Sequence, residues 1–369
     1  MTDMPDAVSD IVSLIEARVS SSPDKELLIC DDGDRRFTYA DFAGQVERAG
    51  RVLESLGVRK GDRVSLLLTN SAEYFIAYFA CFKLGAWAGP VNALLKPHEI
   101  EFIVDNSEAC TVITQPDLIG NLECARANVA SLRNVVLAEK GCKWEVAAGH
   151  PGAIGRAARP EISGDDEAVI IYTSGTTGKP KGVLLTHGNL LANARQIAEW
   201  LRLTSEDRAL MIMPLFHVNA LMTTGLAAIW AGASIVLEPR FSATRHWQTI
   251  SRHRVTYFGS VATMLSMLNH SYPNGVPEDC DTGSLRFALC GSAPVPVEVL
   301  KTFEARFNCP VVEGYGLSES SCRSTFNPPD ERRRPGSVGL PIGNEVRVFD
   351  DSDREVGAGQ VGEIVLRGP

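Results

Sequence analysis

A chain of 369 residues, 44% of them hydrophobic, is long enough for several packed layers, and its net charge of −9 argues against the basic face that nucleic-acid binding requires. Nine cysteines with no Cys-x-x-Cys pair fit reduced thiols in a cytoplasmic protein, not a disulfide frame or a zinc site. The opening Met1-Thr2-Asp3-Met4-Pro5-Asp6 lacks the basic-then-apolar design of a signal peptide.

In chain order, Thr38 and Asp41 form a capping box, and Phe42, Val46, Ala49 and Leu53 recur at helical spacing until Gly57. Residues 64–68 read as a continuous apolar strand, and Asn70 is positioned to cap the helix that follows. The most membrane-like stretch, 74–95, is interrupted by Lys83, Gly85, Gly89 and Pro90, which predicts a buried helix and a buried strand but no membrane span. Lys96-Pro97-His98-Glu99 opens another helix, and 110–114 reads as a strand. Residues 139–165, rich in Gly, Ala, Pro and charge, read as a connection. Strands are predicted again near 168–172, 209–213, 234–237, 255–258, 285–289 and 310–313. From Val338 the pattern changes to short β segments at 345–350 and 361–367. Apolar strands separated by amphipathic helices predict an α/β fold whose parallel sheets are covered on both faces.

One segment speaks directly to chemistry. Residues 172–183 read Tyr-Thr-Ser-Gly-Thr-Thr-Gly-Lys-Pro-Lys-Gly-Val, after the apolar run 168–172 and before a helix opening near His187. Glycines let a backbone approach phosphates, N–H groups and hydroxyls bond the oxygens, and lysines offset the charge. Pro180 after Gly178-Lys179 breaks the Gly-x-x-x-x-Gly-Lys-Ser/Thr pattern, so this phosphate loop is not that of the common NTPases.

The loop resembles the signature of the adenylate-forming superfamily of acyl- and aryl-CoA synthetases, peptide-synthetase adenylation domains and luciferases. Further segments resemble that family in the expected order: 38–41, 57–64, 83–86, Met213-Pro214-Leu215-Phe216-His217, Gly291-Ser292-Ala293-Pro294, Glu313-Gly314-Tyr315-Gly316-Leu317-Ser318-Glu319 and 362–369. The chain is most similar to an acyl-CoA synthetase. The resemblance implies two doubly wound, mainly parallel sheet subdomains, in regions 10–150 and 166–330, and a distorted β-barrel in the mostly β region 331–369. It also implies that the chain, 1–369, is the large N-terminal domain, stopping before a small lid domain and therefore incompetent for the full reaction.

Site residues follow from the same resemblance. Thr173, Ser174, Gly175, Thr176, Thr177, Gly178 and Lys181 would hold the β- and γ-phosphates of ATP, with preorganised donors worth ~3 kcal/mol each. Glu319 would carry Mg2+, and Ser318 would meet the α-phosphate. Tyr315 would lie against adenine, with Gly291, Ser292, Ala293 and Pro294 opposite, and with Glu313, Gly314 and Gly316 completing the nucleotide site. His217 would position the acid, beside Val218, Asn219, Phe258, Gly259, Ser260, Gly291, Gly316 and Leu317. Gly259 and Gly291 leave room that hints at an aryl, alicyclic or medium-length acid. His217-Val218-Asn219 supplies no aspartate for an amino group, which disfavours an amino-acid substrate. Arg332-Arg333-Arg334, beside Asp330 and Glu331, reads as a solvated loop.

The implied reaction joins a small carboxylic acid to AMP with loss of pyrophosphate, and then transfers the acyl group to CoA. A carrier-protein thiol as acceptor, a non-catalytic adenylate-binding module and a homo-oligomer all stay open at this point.

Overall fold

The computed structural model describes residues 8–31, 33–152, 160–173 and 179–369. In chain order β1 (Glu26–Cys30) and β2 (Arg35–Thr38) precede β3 (Arg63–Leu67), β4 (Trp87–Pro90), β5 (Thr111–Thr114), β6 (Asn134–Glu139) and β7 (Lys143–Ala148). Next come β8 (Glu167–Thr173), β9 (Lys181–Thr186), β10 (Arg208–Met211), β11 (Ser234–Leu237), β12 (Tyr257–Ser260), β13 (Phe287–Cys290) and β14 (Val311–Tyr315). The last are β15 (Thr325–Phe326), β16 (Leu340–Pro341), β17 (Glu345–Phe349) and β18 (Glu363–Arg367).

Two mainly parallel sheets result. One has the order β7-β6-β5-β3-β4-β8-β9, parallel from β6 to β8 and antiparallel at both edges. The other has the order β16-β15-β14-β13-β12-β10-β11-β1-β2, parallel from β14 to β1. Its inner strands β11, β12 and β13 are buried along their whole length, as continuous apolar strands under helices must be. β1 and β2 join this second sheet while β8 and β9 join the first, so sheet membership crosses the sequence regions 10–150 and 166–330. β17 and β18 pair antiparallel as a two-stranded sheet. Among the described residues no barrel closes around them.

Local chemistry explains most boundaries. The helix Tyr39–Ser55 starts with the Thr38–Asp41 capping box, each side chain accepting the other residue's backbone N–H. Helix Pro97–Asn106 begins with proline at a position that needs no N–H. Helix Ala72–Leu84, the core of the membrane-like stretch, is buried from Ala72 to Phe82 and stops at Gly85 with φ +65°. No helix among the described residues is long and apolar enough to cross a membrane.

Two expectations change. Ser71, not Asn70, caps Ala72–Leu84 by accepting from the Tyr74 N–H at 3.1 Å; Asn70 is engaged elsewhere. Lys143–Ala148, expected within a connection, is an edge strand antiparallel to β6, reached through a turn with positive φ at Gly141 and Cys142. Trp144 and Val146 alternate inward, a two-residue period too short to stand out among the surrounding Gly, Ala and charge.

Candidate active site

Two of the predicted segments, 291–294 and 313–317, meet beyond the carboxyl ends of the second sheet's parallel strands, where open α/β sheets bind ligands. β13 runs into Gly291-Ser292-Ala293-Pro294, and β14 ends in Tyr315 and leads to Gly316-Leu317. These stretches line one cleft of about 450 Å³ together with Cys290, Glu313, Gly314, Gly336 and Val338. That volume suits a small ligand. Close backbone approach is enforced at Gly316, where any side chain would collide with the Cys322 carbonyl. Ser292 holds φ +70°, an uncommon conformation for a residue with a side chain, at the cleft wall. Glu313 is buried with its carboxylate accepting the Gly336 N–H at 2.8 Å, which ties the 336–338 loop to the cleft; burial raises its pKa.

The phosphate-loop neck lies on the first sheet, where Thr173 pairs across from the exposed Lys181. Ser174, Gly175, Thr176, Thr177 and Gly178 lie outside the described residues. The turn Ser318–Ser320 packs against β9, so Ser318 and Glu319 come beside the strand that begins with Lys181. Glu319 is exposed and has no ion pair among the described residues. A free carboxylate there fits a magnesium ion that arrives on nucleotide phosphates, since such ions keep one or two protein carboxylates and several other oxygens. Among the described residues no group of three or more His, Cys, Asp or Glu side chains would hold a metal unaided.

The 213–219 segment, expected beside the acid, is clamped by Asn70, the residue expected to cap a helix. Asn70 Nδ2 donates to the Met213 carbonyl at 2.9 Å and its Oδ1 accepts the Leu215 N–H at 2.8 Å, while the Tyr78 hydroxyl donates to the Leu215 carbonyl at 2.8 Å. His217 is exposed, its ring tilted over Phe216 at 4.3 Å, and the protein packed behind it lowers its pKa, favouring neutral imidazole. Val218 and Asn219 are buried, and Asn219 Nδ2 donates to Ser292 Oγ at 3.4 Å, joining the two walls.

A π-helix, Ala220–Leu226, follows directly. Its wider turns are supported by hydroxyls: Thr223 Oγ1 donates to the Asn219 carbonyl at 2.8 Å and Thr224 Oγ1 to the Ala220 carbonyl at 3.1 Å. The sequence reading missed this element, because π geometry has no period of its own in an apolar stretch.

Three acid-side expectations need correction. Phe258 packs on His246 and Phe303, whereas Gly259 faces Met213, Thr224 and Asn219; successive strand residues point to opposite faces. Ser260 is buried with its hydroxyl bonded to the Leu289 carbonyl. Of the room expected at the two glycines, that at Gly291 is already taken. A Cβ at Gly259 would make ordinary contact with Met213 Cγ at 3.5 Å, whereas one at Gly291 would collide with the Arg323 guanidinium. Arg323 itself escaped the sequence reading, as did Asn193, whose amide pairs with both backbone groups of Arg323. No local signal marks either residue.

The sequence matches the family described as AMP-binding enzyme over residues 15–369. The chain belongs to the AMP-binding enzyme family. Among relatives of this AMP-binding enzyme, the sulfoacetate–CoA ligase of Cupriavidus necator is 33% identical, over 99% of this chain and 70% of that protein. A long-chain-fatty-acid–CoA ligase of Mycobacterium tuberculosis is 34% identical over 94% of this chain and 69% of its own length. Of solved structures, the anthranilate CoA ligase AuaEII in complex with anthranoyl-AMP superposes with a TM-score of 0.87 at 27% identity, covering 97% of this chain and 70% of that one. The two parallel sheets are thus those of adenylate-forming N-terminal domains.

Proposed function

We propose that this AMP-binding enzyme activates a carboxylic acid as acyl-AMP and passes the acyl group to CoA. In the first step a carboxylate oxygen attacks the α-phosphorus of ATP, and the bond to the bridging oxygen breaks with its electron pair leaving on pyrophosphate. In the second the CoA sulfur, losing its proton, attacks the acyl carbon, and AMP departs with the electrons of the acyl–phosphate bond.

The observation that carries this reading is the single cleft lined by Gly291–Pro294 and Glu313–Leu317, with the Ser318–Glu319 turn packed on the strand bearing Lys181. Two anions must meet there, so the site has to neutralise charge and align the attack. Lys181, with Thr173 and the 174–178 segment, serves the departing diphosphate. Glu319 would hold a magnesium ion, which would offset charge building on the phosphates. Ser318 meets the α-phosphate, and Tyr315 offers its ring to adenine. His217 gates and orients the acid without acting as a base, since the acid is already ionised near neutral pH. CoA is preferred to a carrier protein as acceptor because the relatives cited above are CoA ligases. Their names run from sulfoacetate to long-chain fatty acids, so likeness alone does not select the acid.

The test is acid-dependent exchange of labelled pyrophosphate into ATP by the protein that carries this chain. Exchange that requires an added acid is expected. Inactivity across short, aromatic and long acids, with nucleotide binding intact, would replace the proposal with a non-catalytic adenylate-binding module.

A further inference from the structure

Arg323 is a buried charged group packed against the cleft wall at Gly291 that the proposed reaction does not use. Its side chain is 3% exposed. Nη1 donates to the Gly314 carbonyl at 3.0 Å, and the guanidinium stands 5.3 Å from the centre of the Phe326 ring. Nε is buried without a hydrogen-bond partner. Among the described residues no carboxylate lies within ion-pairing distance of it. Arginine stays charged under all relevant conditions, so this is a buried cation without a counter-ion, an arrangement proteins rarely keep for stability.

Its placement is specific. The guanidinium fills the space that a side chain at Gly291 would occupy, and it bonds the carbonyl of Gly314; both glycines line the cleft. Asn193 fixes it from behind, donating to the Arg323 carbonyl at 2.7 Å and accepting the Arg323 N–H at 3.1 Å. A Cβ at Gly259 would make ordinary contact with Met213 Cγ, the Thr224 methyl and Asn219 Oδ1 at 3.5–3.8 Å.

We propose that Arg323 reads a second anionic group on the acid. Preferred substrates are then acids carrying a carboxylate or sulfonate besides the carboxylate that is activated. A fixed guanidinium recognises planar or tetrahedral oxyanions by charge and paired N–H donors, and an uncharged tail would leave it unneutralised. This specificity rests on the adenylation reading above.

The experiment compares charge at constant shape. Binding of succinate and of monomethyl succinate to the full chain is measured by calorimetry in the presence of a non-hydrolysable ATP analogue. Pyrophosphate exchange is then measured with malonate, succinate, propionate, butyrate and benzoate, for the wild type, Arg323→Gln and Arg323→Lys. The dianions are expected to bind and exchange at least tenfold better than their monoanionic counterparts. Arg323→Gln is expected to raise KM for the dianions at least tenfold with KM for ATP unmoved, and Arg323→Lys to recover part of the loss. Monoanions that equal or exceed the dianions in the wild type overturn the inference while exchange itself upholds adenylation. An Arg323→Gln variant that weakens ATP and every acid alike also overturns it, by showing a structural role. If that variant fails to fold, the wild-type succinate comparison decides alone. Absence of exchange with every acid, together with discrimination in binding, removes the adenylation reading and retains the anion site.

Discussion

At the scale of single residues, function divides between groups that meet ligand and groups that hold them. The proposed function places Lys181 and Glu319 in the first kind: both are exposed, and they come from segments that pack together. Lys181→Ala and Glu319→Gln are each expected to lower the exchange rate about 100-fold, corresponding to ~3 kcal/mol of lost charge stabilisation, as read by steady-state exchange at saturating acid. Asn70 belongs to the second kind. Asn70→Leu removes both hydrogen bonds to Met213 and Leu215, so KM for the acid should rise several-fold while nucleotide binding is retained. An unchanged KM would show that Tyr78 alone suffices to hold the segment. Legibility at this scale followed locality. The Thr38 cap could be read because its partner is three residues away. Arg323 could not, because its meaning comes from Gly291 and Asn193, which are distant in sequence, together with Gly314 on the preceding strand.

At the scale of elements, the π-helix Ala220–Leu226 links the 213–219 segment to the core. Its Thr223 hydroxyl serves both the carbonyl and the side chain of Asn219, at 2.8 and 2.9 Å. Thr223→Val keeps the shape and deletes both bonds, and is expected to cost roughly 1–2 kcal/mol in denaturant unfolding and to weaken acid binding through Asn219. Gly225→Ala tests the backbone. A Cβ there would meet the Ala220 carbonyl, Met211 Cε and Phe75 Cε2, each at 3.3 Å, so about 1–3 kcal/mol of overpacking is expected in the same measurement. The parallel strands were legible as elements because each is a continuous apolar run bounded by turn residues. Which face each residue takes was not: Phe258 and Gly259 look alike as pocket candidates until the strand's two-residue period separates them.

At the scale of the whole molecule, two buried histidines make stability depend on pH. His187 and His246 are almost fully buried, and burial depresses their pKa values to about 4 and about 3. Neither ring nitrogen of His187 has a hydrogen-bond partner, and Asp10 and Asp166 only partly offset the burial, against Lys60. Below pH 6.5 the unfolded chain takes up protons that the folded chain refuses. Stability is therefore full above that pH and falls as pH drops toward 4, by roughly 3 kcal/mol for His187 alone. His187→Leu should flatten that slope in unfolding titrations between pH 7 and 4; an unchanged slope would show that the ring is solvated in solution. The sheet order was beyond sequence reading for a related reason. The pairing of β1 with β11 joins Leu28 to Ile235, across most of the chain, and nothing local distinguishes the sheet to which β1 belongs.

On the proposed reading, nucleotide and acid meet in the cleft between Gly291–Pro294 and Glu313–Leu317. The decisive measurement is a crystal structure with a hydrolysis-resistant acyl-adenylate analogue. Adenine is expected against Tyr315, phosphate at Ser318, and the acyl group between His217 and Gly259 on the side nearer Arg323. Adenine bound on any other surface, with this cleft empty, would contradict it.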